Sequence, residues 1–204
     1  MIQLRLSFFY SLKGLAFFSS MIISLVFFYS EQMILSVPFH MILVSFLYFV
    51  VPSLFLYSLT PFIPQKMAWT SLVSLVLFSI ILTLQHAAFF TGMEIFSGPI
   101  VHWILLGLSI DAWRPFFIGL SKPNPHYMKW SLLAVTPACG ILILVALFIP
   151  ETSFATAYCL PEGVPLSALD TVLFHPKVDL IGSSLFMMVT HKCTLYVTNK
   201  GEVE

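Results

Sequence analysis

Long apolar blocks dominate the chain, and short segments rich in proline and charge separate them. Four blocks are about as long as the roughly 20 apolar residues that a helix needs to cross the hydrocarbon core of a bilayer. These blocks are residues 6–29, 33–57, 67–90 and 131–149. A fifth block, residues 95–110, is apolar but shorter, and it contains Pro99 and His102. Backbone groups inside a bilayer must be satisfied within the segment, so the pattern predicts membrane-spanning helices.

The predicted fold class is therefore all-α, a polytopic bundle of membrane helices with about five spans. We expect residues 1–150 to form this multi-span domain and residues 151–204 to form an extramembrane or interfacial tail. Within the tail, Leu180 to Val189 is apolar but only about half a span long, which favours an interfacial or re-entrant helix. The run from Leu15 to Tyr29 is bulky and lacks a small-residue cleavage site, so a retained anchor is preferred to a signal peptide.

The composition agrees with a membrane protein and makes the bilayer the principal partner. Hydrophobic residues make up 59% of the chain and charged residues 9%, against about a quarter charged in ordinary soluble domains. The formal net charge is zero, so no global basic field indicates a nucleic-acid partner. The four tryptophans lie near predicted span ends, as expected of an interfacial belt. They are Trp69, Trp103, Trp113 and Trp130.

The distribution of basic residues predicts the orientation. With five crossings, every lysine and arginine up to position 129 falls on one side of the membrane. These residues are Arg5, Lys13, Lys66, Arg114, Lys122 and Lys129. The alternate connections carry Glu31, Glu94 and Glu151 instead. Basic residues favour the cytoplasmic side, so the pattern predicts a cytoplasmic amino terminus. The expected location of this integral membrane protein is the inner (plasma) membrane of a bacterium.

Polar residues deep inside an apolar block are the first candidates for function. Gln85 and His86 lie in the third block, where polar groups are costly and often mark a solute or ion pathway. The alternative is that they hydrogen-bond to a neighbouring helix. Asp111 and Arg114 are three residues apart, so a helix would bring them together as an ion pair near a span end.

Motifs for self-contained catalysis and for cofactor or metal binding are absent from the sequence. We therefore predict no cofactor and no metal, and no active site that this chain completes alone. Cys139 lies within a span and is best explained as a small apolar filler. Cys159 and Cys193 both fall in the tail and would be the pair to form a disulfide if the tail lies in an oxidising compartment.

The carboxyl-terminal segment Leu195-Tyr196-Val197-Thr198-Asn199-Lys200-Gly201 resembles the F-x-V-T-x-K-G segment of processive family-2 glycosyltransferases, the cellulose-synthase-like group. Val197, Thr198, Lys200 and Gly201 match that pattern, and Leu195 stands in place of the phenylalanine. The resemblance implies a gating loop near a cytosolic nucleotide-sugar site. The D-x-D, T-E-D and Q-x-x-R-W motifs of the catalytic domain are absent, so a partner chain would have to supply the active site.

Three functions follow as hypotheses. The resemblance implies a membrane subunit or detached channel half associated with polysaccharide synthesis or export. Gln85 and His86 favour a small transporter-like protein. The short connections favour a structural or assembly subunit that binds other membrane subunits. For the tail, the alternative to a gate is that Thr194 to Thr198 form a short external strand or frayed end, because threonine, tyrosine and valine favour extended structure.

Overall fold

The structure is a computed structural model, and it describes residues 12–30, 37–59, 68–91, 99–117, 125–148 and 176–200. These ranges are helical almost throughout and contain no strand. The all-α prediction is confirmed. The connections that carry Glu31, Lys66, Glu94, Lys122 and Glu151 lie outside the described residues.

Eight α-helical segments make up six helical stretches, because two of the stretches are interrupted. The segments are α1 (Leu12–Ser30), α2 (Val37–Ser45), α3 (Val51–Leu59), α4 (Ala68–Thr91), α5 (Pro99–Trp113), α6 (Pro125–Leu133), α7 (Thr136–Phe148) and α8 (Pro176–Lys200). A π-helical segment, Phe46–Val50, joins α2 to α3. A short 3₁₀ turn, Arg114–Phe116, follows α5.

Four of these stretches are long and apolar enough to cross a membrane. They are His40–Leu59, Thr70–Ala87, Pro125–Phe148 and Lys177–Thr198. Helix α5 has 15 residues, about 22 Å at 1.5 Å per residue, so the short apolar block at residues 95–110 corresponds to a short helix. The apolar part of α1, Leu12–Phe27, is also shorter than a full span, and residues 6–11 of the predicted first block lie outside the described residues.

The carboxyl-terminal helix corrects two expectations. The apolar run Leu180–Val189 is the middle of a 25-residue helix, α8, rather than a half-length segment. The predicted strand at Thr194–Thr198 is wrong, because these residues form the last turns of α8. The hydroxyls of Thr194 and Thr198 donate to the carbonyls of Thr190 and Thr194, at 2.8 and 2.7 Å. The preference of threonine, tyrosine and valine for extended structure is outweighed here by tertiary packing, because one face of α8 is buried in the bundle.

Helix α8 packs against α2 and α7, so part of the 151–204 region belongs to the same bundle as the first five stretches. The residues around position 150 are not described, and the domain boundary there stays a prediction. The other main contacts join α1 to α3, α4 to α5, and α4 to α7. Large apolar side chains cover the outside of the bundle, for example Leu25, Ile100 and Phe148. Such a surface is suited to lipid, since lipid tails are as apolar as these side chains.

Prolines lie at the two interruptions and at the end of α5, and at each of these points a hydroxyl from another helix donates to a backbone carbonyl. Pro52 has no N–H to donate to the carbonyl of Tyr48, four residues earlier, and its ring crowds that carbonyl. The chain widens into the π-helical segment there, and the hydroxyl of Ser109 donates to the Tyr48 carbonyl. In a bilayer, neighbouring helices commonly satisfy backbone groups that a proline has freed.

The two other breaks follow the same rule. Between α6 and α7, close to Pro137, the hydroxyl of Ser79 donates to the Ala134 carbonyl at 2.7 Å. At the end of α5, where Pro115 follows, the hydroxyl of Tyr127 donates to the Ala112 carbonyl. These three bonds join α5 to the π-helical segment, α4 to the junction between α6 and α7, and α6 to α5, and they position the polar residues between these elements.

Candidate functional site

A buried histidine lies at the centre of the candidate site. His102 of α5 is 2% exposed, and each of its ring nitrogens faces a polar group from a different helix. The Tyr48 hydroxyl lies 2.5 Å from His102 Nδ1. The amide nitrogen of Gln85, on α4, lies 3.3 Å from His102 Nε2. We call Tyr48, Gln85 and His102 the histidine cluster.

Aromatic rings from α1 and α2 enclose the histidine cluster. The rings of Phe27 and His102 meet edge to face, with centroids 5.1 Å apart. The His40 ring lies 6.1 Å from that of His102 and 6.4 Å from that of Phe27. The Tyr48 and His102 rings are nearly parallel, with an interplanar angle of 20°. His102 is therefore surrounded by four elements of the bundle, and a second imidazole is among its neighbours.

The sequence-predicted pair Gln85 and His86 divides between two environments. Consecutive residues of a helix point about 100° apart, so only Gln85 reaches His102. His86 is 4% exposed, and its Nδ1 lies 2.7 Å from the Leu82 carbonyl. A carbonyl can only accept, so Nδ1 donates, and in the neutral ring Nε2 is left as an acceptor. His86 Nε2 and Gln85 Oε1 have no hydrogen-bond partner among the described residues.

A second polar group, the ion-pair cluster, lies at the other end of α5 and comprises Thr70, Ser71, Ser74, Asp111 and Arg114. Arg114 Nη2 and Asp111 Oδ1 are 2.8 Å apart, which confirms the predicted ion pair. The Ser74 hydroxyl donates to Asp111 Oδ2 at 2.7 Å, and Arg114 Nη2 donates to Thr70 Oγ1 at 2.7 Å. A longer contact of 3.4 Å joins Arg114 Nη2 to Ser71 Oγ. The pair thus ties α5 to α4, beyond what a solvated surface ion pair would do.

Ser109 lies between the two clusters and is 1% exposed. It is two helical turns from His102, on the same face of α5, and it donates to the backbone of Tyr48. From His102 to Arg114 the chain advances about 18 Å at 1.5 Å per residue. The hydrocarbon core of a bilayer is about 30 Å thick. We call this series from the histidine cluster through Ser109 to the ion-pair cluster the polar line.

Helix α8 carries buried polar residues that sequence reasoning missed. Asp179, Ser183, Ser184 and His191 are each at most 4% exposed. The Ser184 hydroxyl donates to the Cys139 carbonyl at 3.0 Å, and the Cys139 thiol faces the Ser184 carbonyl at 3.5 Å. Asp179, Ser183 and His191 recur at multiples of four, a helical spacing that could have indicated one buried face.

His191 packs between two aromatic rings near the ion-pair end of α5. Its ring centroid lies 4.8 Å from that of Phe49 and 6.1 Å from that of Trp113. Trp113 is buried, so its assignment to an interfacial belt is wrong, because its ring fills the bundle interior. Trp103 and Trp130 are more than half exposed, as a belt requires. The side chain of Trp69 is outside the described residues.

The residues of the glycosyltransferase resemblance lie at the end of α8. Val197 is 67% exposed, and Thr198 is in the last turn, bonded to its own helix. Lys200 ends the helix, and Gly201 is not described. In the described part the segment is helical, and its role as a gate stays a prediction.

The two cysteines that the structure describes are not joined in a disulfide. Cys193 is exposed on α8 and Cys139 is buried in α7. Cys159 lies outside the described residues, so the predicted pairing with Cys193 stays a prediction. Within the described residues, no group of three or more His, Cys, Asp or Glu side chains could hold a metal ion.

In comparisons with protein-family models, with curated proteins and with solved structures, nothing matches this chain. The geometry of the polar line is therefore the main indication of function.

Proposed function

We propose that this chain is a small transporter-like membrane protein whose pathway follows the polar line beside α5. The observation that carries the proposal is the length of that line. Buried and part-buried polar groups extend over about 18 Å of a core about 30 Å thick, with contributions from α4, α5 and the π-helical segment. Buried ionisable and polar groups inside a membrane bundle commonly mark the route of a solute or an ion.

Interhelical adhesion alone explains the polar line less well. A hydrogen bond between membrane helices contributes about 0.6 kcal/mol on average, whereas a buried polar atom without a partner costs about 1–3 kcal/mol. Gln85 Oε1, in the histidine cluster, is such an atom among the described residues. It is an acceptor, and a solute with N–H or O–H groups would offset its cost.

Counting all six helical stretches as crossings orients the polar line. If the amino terminus is cytoplasmic, alternation places the Arg114 end of α5 on the cytoplasmic side and the His102 end on the external side. This agrees with the basic residues predicted on the inner face of a bacterial plasma membrane. It also returns the end of α8 to the cytoplasmic side.

Thiol accessibility tests the pathway without knowledge of the substrate. Cys159 and Cys193 are replaced by serine, and buried Cys139 is retained. This parent protein is treated with the same reagent, and its lack of modification shows that Cys139 does not react. Gln85→Cys and Ser74→Cys are then treated with a charged, water-soluble methanethiosulfonate in liposomes. Each has an adjacent lipid-facing control on α4, Leu84→Cys and Val73→Cys.

The proposal expects the two polar-line cysteines to react and the two controls to stay unmodified, because thiolates form only where water enters. If all four stay unmodified, the polar line only holds helices together, and a structural or assembly subunit becomes the better explanation. If a pathway exists, replacing Gln85 and His86 together by leucine should leave the protein inserted but inactive.

A second candidate function is a membrane subunit of a polysaccharide synthase, which the sixth helical stretch favours. With α8 as a sixth crossing, Val197, Thr198 and Lys200 lie on the same side as the predicted cytoplasmic basic residues, where a nucleotide sugar would be. A cysteine at Thr198 is labelled with and without a uridine-diphosphate sugar, in the presence of any co-purifying catalytic chain. Protection by the nucleotide sugar supports this function, and labelling that the sugar never changes removes it.

A further inference from the structure

The partners of His102 can each reverse the direction of their hydrogen bond. A tyrosine hydroxyl is both donor and acceptor, and a glutamine amide presents N–H₂ on one side and oxygen on the other. Tyr48 Oη occupies Nδ1 of the imidazole, and the Gln85 amide occupies Nε2. An imidazole between two reversible partners is the arrangement that passes a proton through a ring.

Two proton arrangements satisfy the histidine cluster. In the first, the Gln85 amide donates to Nε2, so Nδ1 carries the proton and donates to the Tyr48 oxygen. In the second, Gln85 has turned its oxygen to Nε2–H, and the Tyr48 hydroxyl donates to Nδ1. The second arrangement also gives the otherwise unpartnered Gln85 Oε1 a donor. Neutral His102 is bonded on both sides in either case.

Building on the proposed function, we propose that His102 is a proton-relay residue and that protons are carried along the polar line. In the second arrangement the Tyr48 hydroxyl passes its proton to Nδ1 and takes a new one from water in the polar line, and the resulting imidazolium donates to both Tyr48 Oη and Gln85 Oε1. Water on the Gln85 side accepts the proton of Nε2, which restores a neutral ring. One proton has then entered and one has left, and rotation of the amide and the hydroxyl resets the cluster.

The surroundings of His102 limit it to one charge at a time. The titratable side chains from neighbouring elements are Tyr48 of the π-helical segment, His40 of α2 and His86 of α4, and α1 contributes the apolar ring of Phe27. The His40 and His102 ring centroids are 6.1 Å apart. Two imidazolium ions at that distance would repel, so the relay holds one imidazolium at a time. The relay therefore transfers single protons.

Proton flux into liposomes tests the relay. The protein is reconstituted in liposomes that contain the pH-sensitive dye pyranine, and valinomycin with a potassium gradient sets the membrane potential. Wild-type protein should change the internal pH, and the reversed gradient should reverse the sign. His102→Gln keeps hydrogen-bonding capacity but cannot carry the proton, so flux should fall to the level of protein-free liposomes.

Tyr48→Phe removes only one oxygen atom and therefore should not disturb folding. The proton flux of this variant should fall as well. The matched control is His126→Gln, an exposed histidine of α6 outside the polar line, which should leave flux unchanged. Wild-type flux in both His102→Gln and Tyr48→Phe overturns the relay.

The thiol-accessibility result separates the two proposals. If wild-type liposomes show no proton flux while Gln85→Cys still reacts with the water-soluble reagent, the pathway stands and the proton relay is wrong. If flux and reactivity are both absent, both proposals are wrong.

Discussion

Ser109 donates to a carbonyl that Pro52 leaves without its helical donor, so replacing Ser109 by alanine tests how much that cross-helix bond stabilises the bundle. Pro52 leaves the Tyr48 carbonyl without the N–H that a regular helix would supply, and the Ser109 hydroxyl donates to that carbonyl instead. Losing a membrane hydrogen bond costs about 0.6 kcal/mol on average, and leaving a buried acceptor unsatisfied costs about 1–3 kcal/mol. We expect Ser109→Ala to lower the free energy of unfolding by about 1–2 kcal/mol, between these two limits.

The matched control is Ser45→Ala. Ser45 is fully buried next to the same π-helical segment, and its hydroxyl donates to the Met41 carbonyl at 2.7 Å. That carbonyl lies within α2 and is four residues before the Ser45 N–H, so it keeps a helical donor when the hydroxyl is removed. The control should therefore cost a few tenths of a kcal/mol at most, below the average membrane hydrogen bond.

Unfolding by sodium dodecyl sulfate titration in mixed micelles measures both variants. A double-mutant cycle with Pro52→Ala completes the test, because alanine restores an N–H to the Tyr48 carbonyl. The cost of Ser109→Ala should fall in that background, giving a coupling free energy of about 0.5 kcal/mol or more between the two positions. An equal cost in both backgrounds, or a cost no larger than that of Ser45→Ala, would refute the reasoning.

Three further predictions concern other parts of the bundle. Arg114→Ala should destabilise the protein by about 1–3 kcal/mol, because it leaves a part-buried carboxylate without its cation, whereas exposed Lys129→Ala should change stability by less than about 0.5 kcal/mol in the same titration. Cysteines at Thr198 and at Lys122 should be labelled from the same side of the membrane, and opposite sidedness would contradict six crossings. Cys193 should have a free thiol by mass spectrometry of native membranes. It lies 17 residues, about 25 Å, from the start of α8, and so near the side of the membrane opposite to the one where α8 begins; finding it in a disulfide would contradict that placement.

The parts of the site that follow from local spacing could be predicted from the sequence. Asp111 and Arg114 are three residues apart on a helix, and that spacing alone predicted their ion pair. Gln85 stood out as a polar residue in an apolar block, and it does face a polar partner. The partner, His102, was noted only as a polar residue of the short block at residues 95–110, because sequence separation conceals which faces of α4 and α5 meet.

Tyr48 and Ser109 show why the rest could not be predicted. In an apolar block Tyr48 reads as one more aromatic residue. The sequence signal was Pro52, four residues later, which predicts a carbonyl in need of a donor. Nothing local indicates that the donor comes from a serine 61 residues away. The extent of α8 was missed for a related reason. His191 lowers the mean hydropathy of the segment, whereas the fold buries its side chain between the rings of Phe49 and Trp113.

The composition of α8 has a consequence for how this protein enters the membrane. Its Lys177–Thr198 stretch is the least hydropathic of the four long candidate spans, and it includes Asp179, His191 and Lys192. A charged residue near the centre of an isolated helix adds about 2.5–3.5 kcal/mol to the free energy of insertion by the translocon, and less towards the ends. Insertion of the polar face of α8 becomes favourable only when α2 and α7 are already present to pack against it. Insertion of α8 should therefore depend on the earlier helices, and α8 should leave the translocon only after it has packed against them. A bundle whose earlier helices are misfolded should fail to integrate α8.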